Sequence, residues 1–209
     1  MPGIRHVLFD ADGVIQDLPG GWIAATEPYV GDRAREFLRR TWTDERPMLH
    51  GEGDFLPALA ALLNEFGVAT PLEEFFLDVW GRIDVDDRSL RLVDALRERG
   101  IGVHLGTNQD RHRGEHMRTT LGYENVFDVH CYSYELGVAK PDPRFFELAA
   151  QRVGAAPAEI LFVDDNVENV EGARSIGMPA VHWTLAQGHD VLLAQLGAYG
   201  FDRLERALA

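Results

Sequence analysis

Ile4-Arg5-His6-Val7-Leu8-Phe9-Asp10-Ala11-Asp12-Gly13-Val14 begins as a short apolar run and ends on two aspartates and a glycine. The run has the length of a buried strand, and residues two apart on an extended chain project to the same side. Asp10 and Asp12 are therefore expected to share one space where the strand emerges. Two carboxylates about 4 Å apart repel by ~4 kcal/mol at an effective dielectric of about 20. A fold keeps such a pair only where a cation, a proton or a substrate offsets it.

Outward from this stretch, the second half of the chain alternates in a βα rhythm. Strands are expected at 101–106, 126–132, 160–163 and 179–183. Helices are expected at 111–121, 143–153, 167–176 and 190–196, the first three closed by Gly122, Gly154 and Gly177. Apolar runs alternating with amphipathic helices predict an α/β fold, a doubly wound parallel sheet of Rossmann-like type. Residues 16–88 have another texture, with helical patterns at 32–42, 55–66 and 72–80 punctuated by Pro47, Gly51, Gly53 and Pro71. A further helix over 89–99 returns the chain to the sheet. The expected division is a catalytic core of residues 1–15 and 89–209 with a small α-helical cap, 16–88, inserted into it.

The bulk numbers fit that reading. A chain of 209 residues with 45% hydrophobic and 26% charged residues can bury one core and a small insert. No apolar stretch approaches the ~20 residues that span a bilayer, and Asp10 cuts the first run too short for a signal peptide. Cys131 is the only cysteine, so no disulfide can form within the chain. The expectation is a soluble, cytoplasmic protein. Its formal net charge of −14 disfavours nucleic acid or an anionic membrane as partner, while leaving room for a small phosphorylated metabolite. Of the 20 Lys and Arg residues, one is lysine, Lys140. Either arginine has replaced lysine by drift, or a compact ammonium is needed at that place.

Ligands in open α/β sheets gather at the carboxyl ends of strands. Asp10 and Asp12 follow the first strand and Thr107-Asn108 the second. Lys140-Pro141 lies in the loop after the third, and Asp164-Asp165 follows the next. Four strand ends thus deliver polar groups to one edge, and the coincidence carries more weight than any one of them.

In this ordered set the chain resembles the haloacid dehalogenase superfamily, its phosphatases foremost. The resemblance runs through Asp10-Ala11-Asp12-Gly13-Val14, Thr107-Asn108, Lys140-Pro141-Asp142-Pro143, and Val163-Asp164-Asp165-Asn166 with Asn169 and Gly172-Ala173. It implies that Asp10 is the nucleophile, forming an aspartyl-phosphate, and that Asp12 is the acid and base of the two half-reactions. Thr107 and Asn108 would hold phosphoryl oxygens, and Lys140 would compensate charge. An all-oxygen, anionic site suits Mg²⁺. By resemblance its ligands are the Asp10 carboxylate, the Asp12 backbone carbonyl and Asp165, with Asp164 beside or among them.

The expected function is Mg²⁺-dependent hydrolysis of a small phosphate monoester, such as a sugar phosphate. Three alternatives stay open: a phosphomutase of sugar phosphates, a 2-haloacid dehalogenase, and a non-catalytic binding module. Other signals are set aside. His112 and His116 have metal-ligand spacing but read as an exposed polar helix face. Trp22, Trp42 and Trp80 read as the core of the cap. Arg46, His50 and Glu52 stay outside the expected site.

Overall fold

Val7 and Phe9 alternate with Leu8, and Leu161 and Val163 with Ile160 and Phe162, so each central strand feeds both faces of a sheet. In the computed structural model, which describes residues 3–202 and 204, these runs form β1 (His6–Phe9) and β6 (Ile160–Asp164). With β4 (Gly102–Thr107), β5 (Val129–Tyr132) and β7 (Ala180–His182) they build one parallel sheet, ordered β5-β4-β1-β6-β7. β1 lies between β4 and β6, with Phe9 opposite Leu105 on one side and Val163 on the other. Sequence order reverses at β1, which puts the ligand crevice of a doubly wound sheet at its carboxyl end. The α/β fold class is as read from the sequence. Residues 1, 2, 203 and 205–209 of the expected core lie outside the described residues.

Helices cover both faces. Counting in chain order, α1 (Gly21–Val30), α2 (Ala34–Leu49), α3 (Phe55–Phe66) and α4 (Leu72–Val79) fall between β1 and β4. They are followed by α5 (Asp87–Glu98), α6 (Arg111–Glu115), α7 (Tyr123–Val126), α8 (Ser133–Leu136), α9 (Pro143–Val153), α10 (Val167–Ser175) and α11 (His189–Gly197). Leu92, Val93 and Leu96 of α5 and Leu192, Leu193 and Leu196 of α11 pack on one face of the sheet. Phe145, Phe146 and Ala149 of α9 and Val170 and Ala173 of α10 pack on the other. A third apolar cluster, drawn from Leu18 to Trp80, holds α1–α4 together around Phe37, Phe55 and Phe75. Two-residue strands β2 (Gln16–Asp17) and β3 (Asp84–Val85) pair antiparallel where the chain leaves the sheet and returns to it. No helix among the described residues is long and apolar enough to cross a membrane.

Several local expectations differ from the structure. Helix α1 escapes the sequence pattern because it starts at Gly20-Gly21, carries Pro28 and has no strong apolar stripe. Helix α2 runs through Pro47 to Leu49, because a proline in the last turn forfeits little helical bonding. The stretch read as a strand over 126–132 is split. Its first residue closes α7, Phe127 turns into the core beside Tyr123, and only Val129–Tyr132 pairs in the sheet. The helix over 111–121 changes at His116 to a π-helical turn through Thr120.

At the amino end of the sheet His104 of β4 is buried against His6 of β1, with Nε2 to Nδ1 at 3.0 Å, and its own Nδ1 lacks a partner among the described residues. Burial and the neighbouring His6 depress its pKa to about 4, with His130 adding to the effect and Asp128 opposing it. The folded state therefore keeps His104 neutral, while the unfolded chain takes up a proton below about pH 6.5. The contribution is complete above that value and fades as pH falls toward 4. In urea denaturation, wild type should lose about 2 kcal/mol relative to His104→Phe between roughly pH 7.5 and 5. A difference between the two proteins that does not change with pH would refute this account.

Candidate active site

Asp10 leaves the end of β1 and stands at the floor of a pocket of about 330 Å³ at the carboxyl edge of the sheet. Asp12, Thr107, Asn108, Lys140 and Asp165 also line this pocket, with Gly13, Asp17, Trp22, Asn166 and Asn169. Six of the seven residues expected from the sequence thus face one space. The seventh, Asp164, is fully buried behind it.

The floor is a charge cluster. Asp10, Asp164 and Asp165 each bring a carboxylate oxygen within 4.8 Å of the others. Lys140 Nζ reaches Asp10 Oδ1 at 2.8 Å and Asp164 Oδ2 at 2.6 Å, with its side chain 1% exposed. Burial pushes the Asp10 carboxyl well above its ordinary range. Lys140 pulls it back, and Asp164 pushes it further. Burial alone would lower the Lys140 pKa, but Asp10 and Asp164 hold it above the usual lysine value. The lone lysine is therefore buried between two buried carboxyl groups, a setting that argues for a needed compact ammonium over a chance survivor of Lys-to-Arg drift.

Asp164 has its oxygens occupied. Oδ1 accepts from the Asn166 backbone N–H at 2.8 Å and from Asn169 Nδ2 at 3.0 Å. Oδ2 accepts from Lys140 and, at 3.1 Å, from Asn169. Asp165 instead opens on the pocket, its pKa raised by burial and by Asp164. Its approach depends on Gly13, whose φ of +75° and missing Cβ leave room for the Asp165 carboxylate; a methyl group there would collide with it. Gly172 acts alike one helix away, since a Cβ on it would strike the Pro141 carbonyl and displace the loop that carries Lys140.

Asn108 is placed differently from the simplest expectation. Its Nδ2 donates to the Lys140 carbonyl at 2.9 Å and its Oδ1 accepts from the Lys140 N–H at 2.8 Å. The side chain clamps the lysine loop, which leaves the backbone N–H of Asn108 for a ligand oxygen. Thr107 ends β4, where its hydroxyl accepts from Gln109 at 3.1 Å and keeps its own proton to donate.

Asp12 is held by groups that the sequence pattern did not single out. Its Oδ1 accepts from Gln16 Nε2 and Arg113 Nη2, both at 2.8 Å. Its Oδ2 accepts from Gln109 Nε2 at 2.9 Å and Arg113 Nη1 at 2.6 Å. Burial would raise its pKa, but Arg113, Gln16 and Gln109 hold it down at about 2. The signal available for Arg113 was its position: it shares the buried face of its helix with Gly114 and Met117. Trp22 was assigned to the helical core. It packs on Trp80 at 5.4 Å, as expected, and also forms part of the pocket wall. Arg46, His50 and Glu52 lie outside that wall. His112 bonds Asp54 at 2.7 Å instead of pairing with His116.

A donor set of carboxylate oxygens, with no His or Cys among them, fits a hard divalent cation. Comparison with known proteins agrees with the fold and the motifs. The family model for haloacid dehalogenase-like hydrolases matches residues 4–177. Sesquiterpene phosphatase astK of Aspergillus oryzae is 34% identical over 113 residues, 52% of this chain and 56% of that protein, so the chain spans about half of its length. (S)-2-haloacid dehalogenase 1 of a Pseudomonas species is 27% identical over 198 residues, covering 87% of this chain and 85% of that one. Among solved structures, a HAD family enzyme of Bacteroides thetaiotaomicron in complex with magnesium and inorganic phosphate superposes with a TM-score of 0.73. It shares 20% identity over 86% of this chain and 94% of its own, a likeness of fold. The strand order, the pocket at the carboxyl end of β1 and the matched span together make this chain a member of the haloacid dehalogenase-like hydrolases.

Proposed function

We propose that the protein is a Mg²⁺-dependent phosphomonoesterase acting on a small phosphorylated metabolite through an aspartyl-phosphate at Asp10. The observation that carries this reading is the convergence of three carboxylate oxygens within 4.8 Å beside the buried Lys140. Asp10 and Asp165, with the Asp12 backbone carbonyl, would hold the cation. Asp164 is committed to Lys140, Asn166 and Asn169, and serves mainly to orient them. The ion supplies Lewis-acid charge that eases approach of an anionic phosphoryl group to an anionic nucleophile.

The chain's own groups account for the remainder. Asp10 attacks phosphorus while Lys140, Thr107 Oγ1 and the Asn108 N–H bind the oxygens on which charge gathers. The bond to the leaving oxygen breaks, and that oxygen takes a proton from Asp12. Asp12 then removes a proton from the water that cleaves the aspartyl-phosphate, which restores Asp10 and frees phosphate. The helical segment containing α1–α4 would act as a cap that limits water and substrate size.

The family holds a phosphatase and a dehalogenase among the relatives above, and Asp12 separates the two chemistries. Halide departs without a proton and its carbon needs no metal, so neither Asp12 nor the acidic pair would have work there. The pocket wall also bears on substrate. Lys140, its one cationic lining residue among those described, is already paired, while Asp17 and Trp22 line the same space. This composition favours a neutral, hydroxylated leaving group such as a sugar over one with a second anionic group. A panel of phosphorylated metabolites should release inorganic phosphate with Mg²⁺ and stop when EDTA is added. Metal-independent halide release from a 2-haloacid, with no phosphate from any ester, would overturn the assignment.

A further inference from the structure

Arg113 is 3% exposed, carries no part of the pocket wall, and has every face engaged. Its two terminal nitrogens grip the two oxygens of Asp12, at 2.6 and 2.8 Å. Nη1 also donates to Gln109 Oε1 at 2.8 Å, and Nε donates to the backbone carbonyl of Trp80 at 2.9 Å. The guanidinium carbon lies 5.5 Å from the ring centre of Trp22. Trp80 follows α4 and Trp22 sits in α1, so one side of this arginine belongs to the helical cap. Its other side belongs to the proton carrier of the core.

Asp12 accepts two hydrogen bonds on each oxygen, four in all, and in that state neither oxygen is free to carry a proton. At least one donor must withdraw before the carboxyl can protonate a leaving group. Gln16, in β2 where the chain leaves the sheet, and Gln109 are both anchored to core groups. Gln16 accepts from the buried Tyr123 hydroxyl at 2.8 Å, and Gln109 donates to Thr107. Arg113 is the donor that reaches the helices of the cap, through the Trp80 carbonyl. Buried Glu45 of α2, which also feels Arg113, is pushed by burial and by Asp110 up to about 8 and stays largely neutral at pH 7. Asp12 is then the carboxylate that the guanidinium pairs directly, with Asp110 also acting on it.

We propose that Arg113 is a positioning residue that couples the cap to proton transfer, by holding Asp12 in register and yielding one of its bonds when the Trp80 carbonyl moves. This rests on the phosphomonoesterase reading, since it assigns Asp12 a proton to deliver. Arg113 touches no substrate, so its effect on kcat/KM, which reports the half-reaction that expels the leaving group, should fall only on esters that need the proton. Small errors in the placement of a proton donor cost far more rate than binding.

The test is a double-mutant cycle on two ring-sized probes, 4-nitrophenyl phosphate, whose leaving group needs no proton, and benzyl phosphate, whose alkoxide does. Arg113→Gln and Arg113→Lys should lower kcat/KM for benzyl phosphate by about tenfold or more. For 4-nitrophenyl phosphate kcat/KM should stay within about threefold, while kcat on either ester falls to the extent that the Asp12-assisted attack of water limits turnover. In an Asp12→Asn background, itself selectively slow on benzyl phosphate, either change should have little further effect. Arg113→Lys keeps a buried cation and secures the experiment if Arg113→Gln does not fold. Equal losses in kcat/KM on the two esters, or the same loss in both backgrounds, would reduce Arg113 to scaffolding and overturn the inference. Wild type inactive on both esters, or Asp12→Asn lowering kcat/KM for both alike, would instead strike the underlying reading, and the inference would fall with it.

Discussion

Asp10→Asn should abolish phosphate release, by roughly 10⁴-fold or more, while leaving the fold intact. The change replaces one oxygen by an amide of nearly the same size, and the Lys140 and Ala11 contacts can still be made to the remaining oxygen. What is lost is the attacking carboxylate and its negative charge. Removing that charge also relieves the crowding with Asp164 and Asp165 that burial makes costly. The variant should therefore melt at or above the wild-type temperature despite being inactive. Loss of activity with unchanged or raised stability separates a chemical role from a structural one. Residual activity within tenfold of wild type would move the nucleophile elsewhere.

Lys140→Met should be the most damaging single change to the folded state. It leaves Asp10 and Asp164, both nearly or wholly buried, facing each other without their shared cation. Breaking a buried pair by removing one partner costs about 3–5 kcal/mol. Urea denaturation without metal should show a loss of that size. Lys140→Arg restores charge but replaces a single ammonium by a wide, rigid fork in a space closed by Asn169 and Phe162. Much of the stability should return, while phosphate release stays down at least a hundredfold. Near-normal kinetics in the arginine variant would return the single lysine to an accident of composition.

The core of this molecule was legible because its signals are local. A strand of alternating apolar residues, a glycine closing a helix, and Asp or Asn at a helix start each depend on a few neighbours. That is why α3, α9 and β6 fall within a residue of their expected bounds. The misread stretches depend on distant contacts. Phe127 belongs to a strand by propensity, but it is drawn inward into the buried cluster that α5 and β4 also form. α1 has little amphipathic pattern, and it is its packing on α2 and α4 that holds it.

The site divides along the same line. Asp10, Asp12, Thr107 and Asp165 could be placed at the pocket because each ends or closely follows a strand, and strand ends converge in a parallel sheet, whereas Lys140, in the loop after α8, stood out as the lone lysine. Gln16, Gln109 and Arg113 were not, since nothing in their local sequence says which face of turn or helix meets Asp12. Asn108 shows the limit from the other side: it lines the expected pocket, but its side chain supports Lys140.

The most direct test of the account is to mix wild-type protein with Mg²⁺ and a readily cleaved phosphate ester, quench in acid within milliseconds, and map the peptides by mass spectrometry. A single phosphoryl group on the carboxylate of Asp10, absent without metal and absent from Asp10→Asn, is the predicted result. Phosphate release with no label on that peptide, under conditions where turnover is limited by the second step, would contradict it.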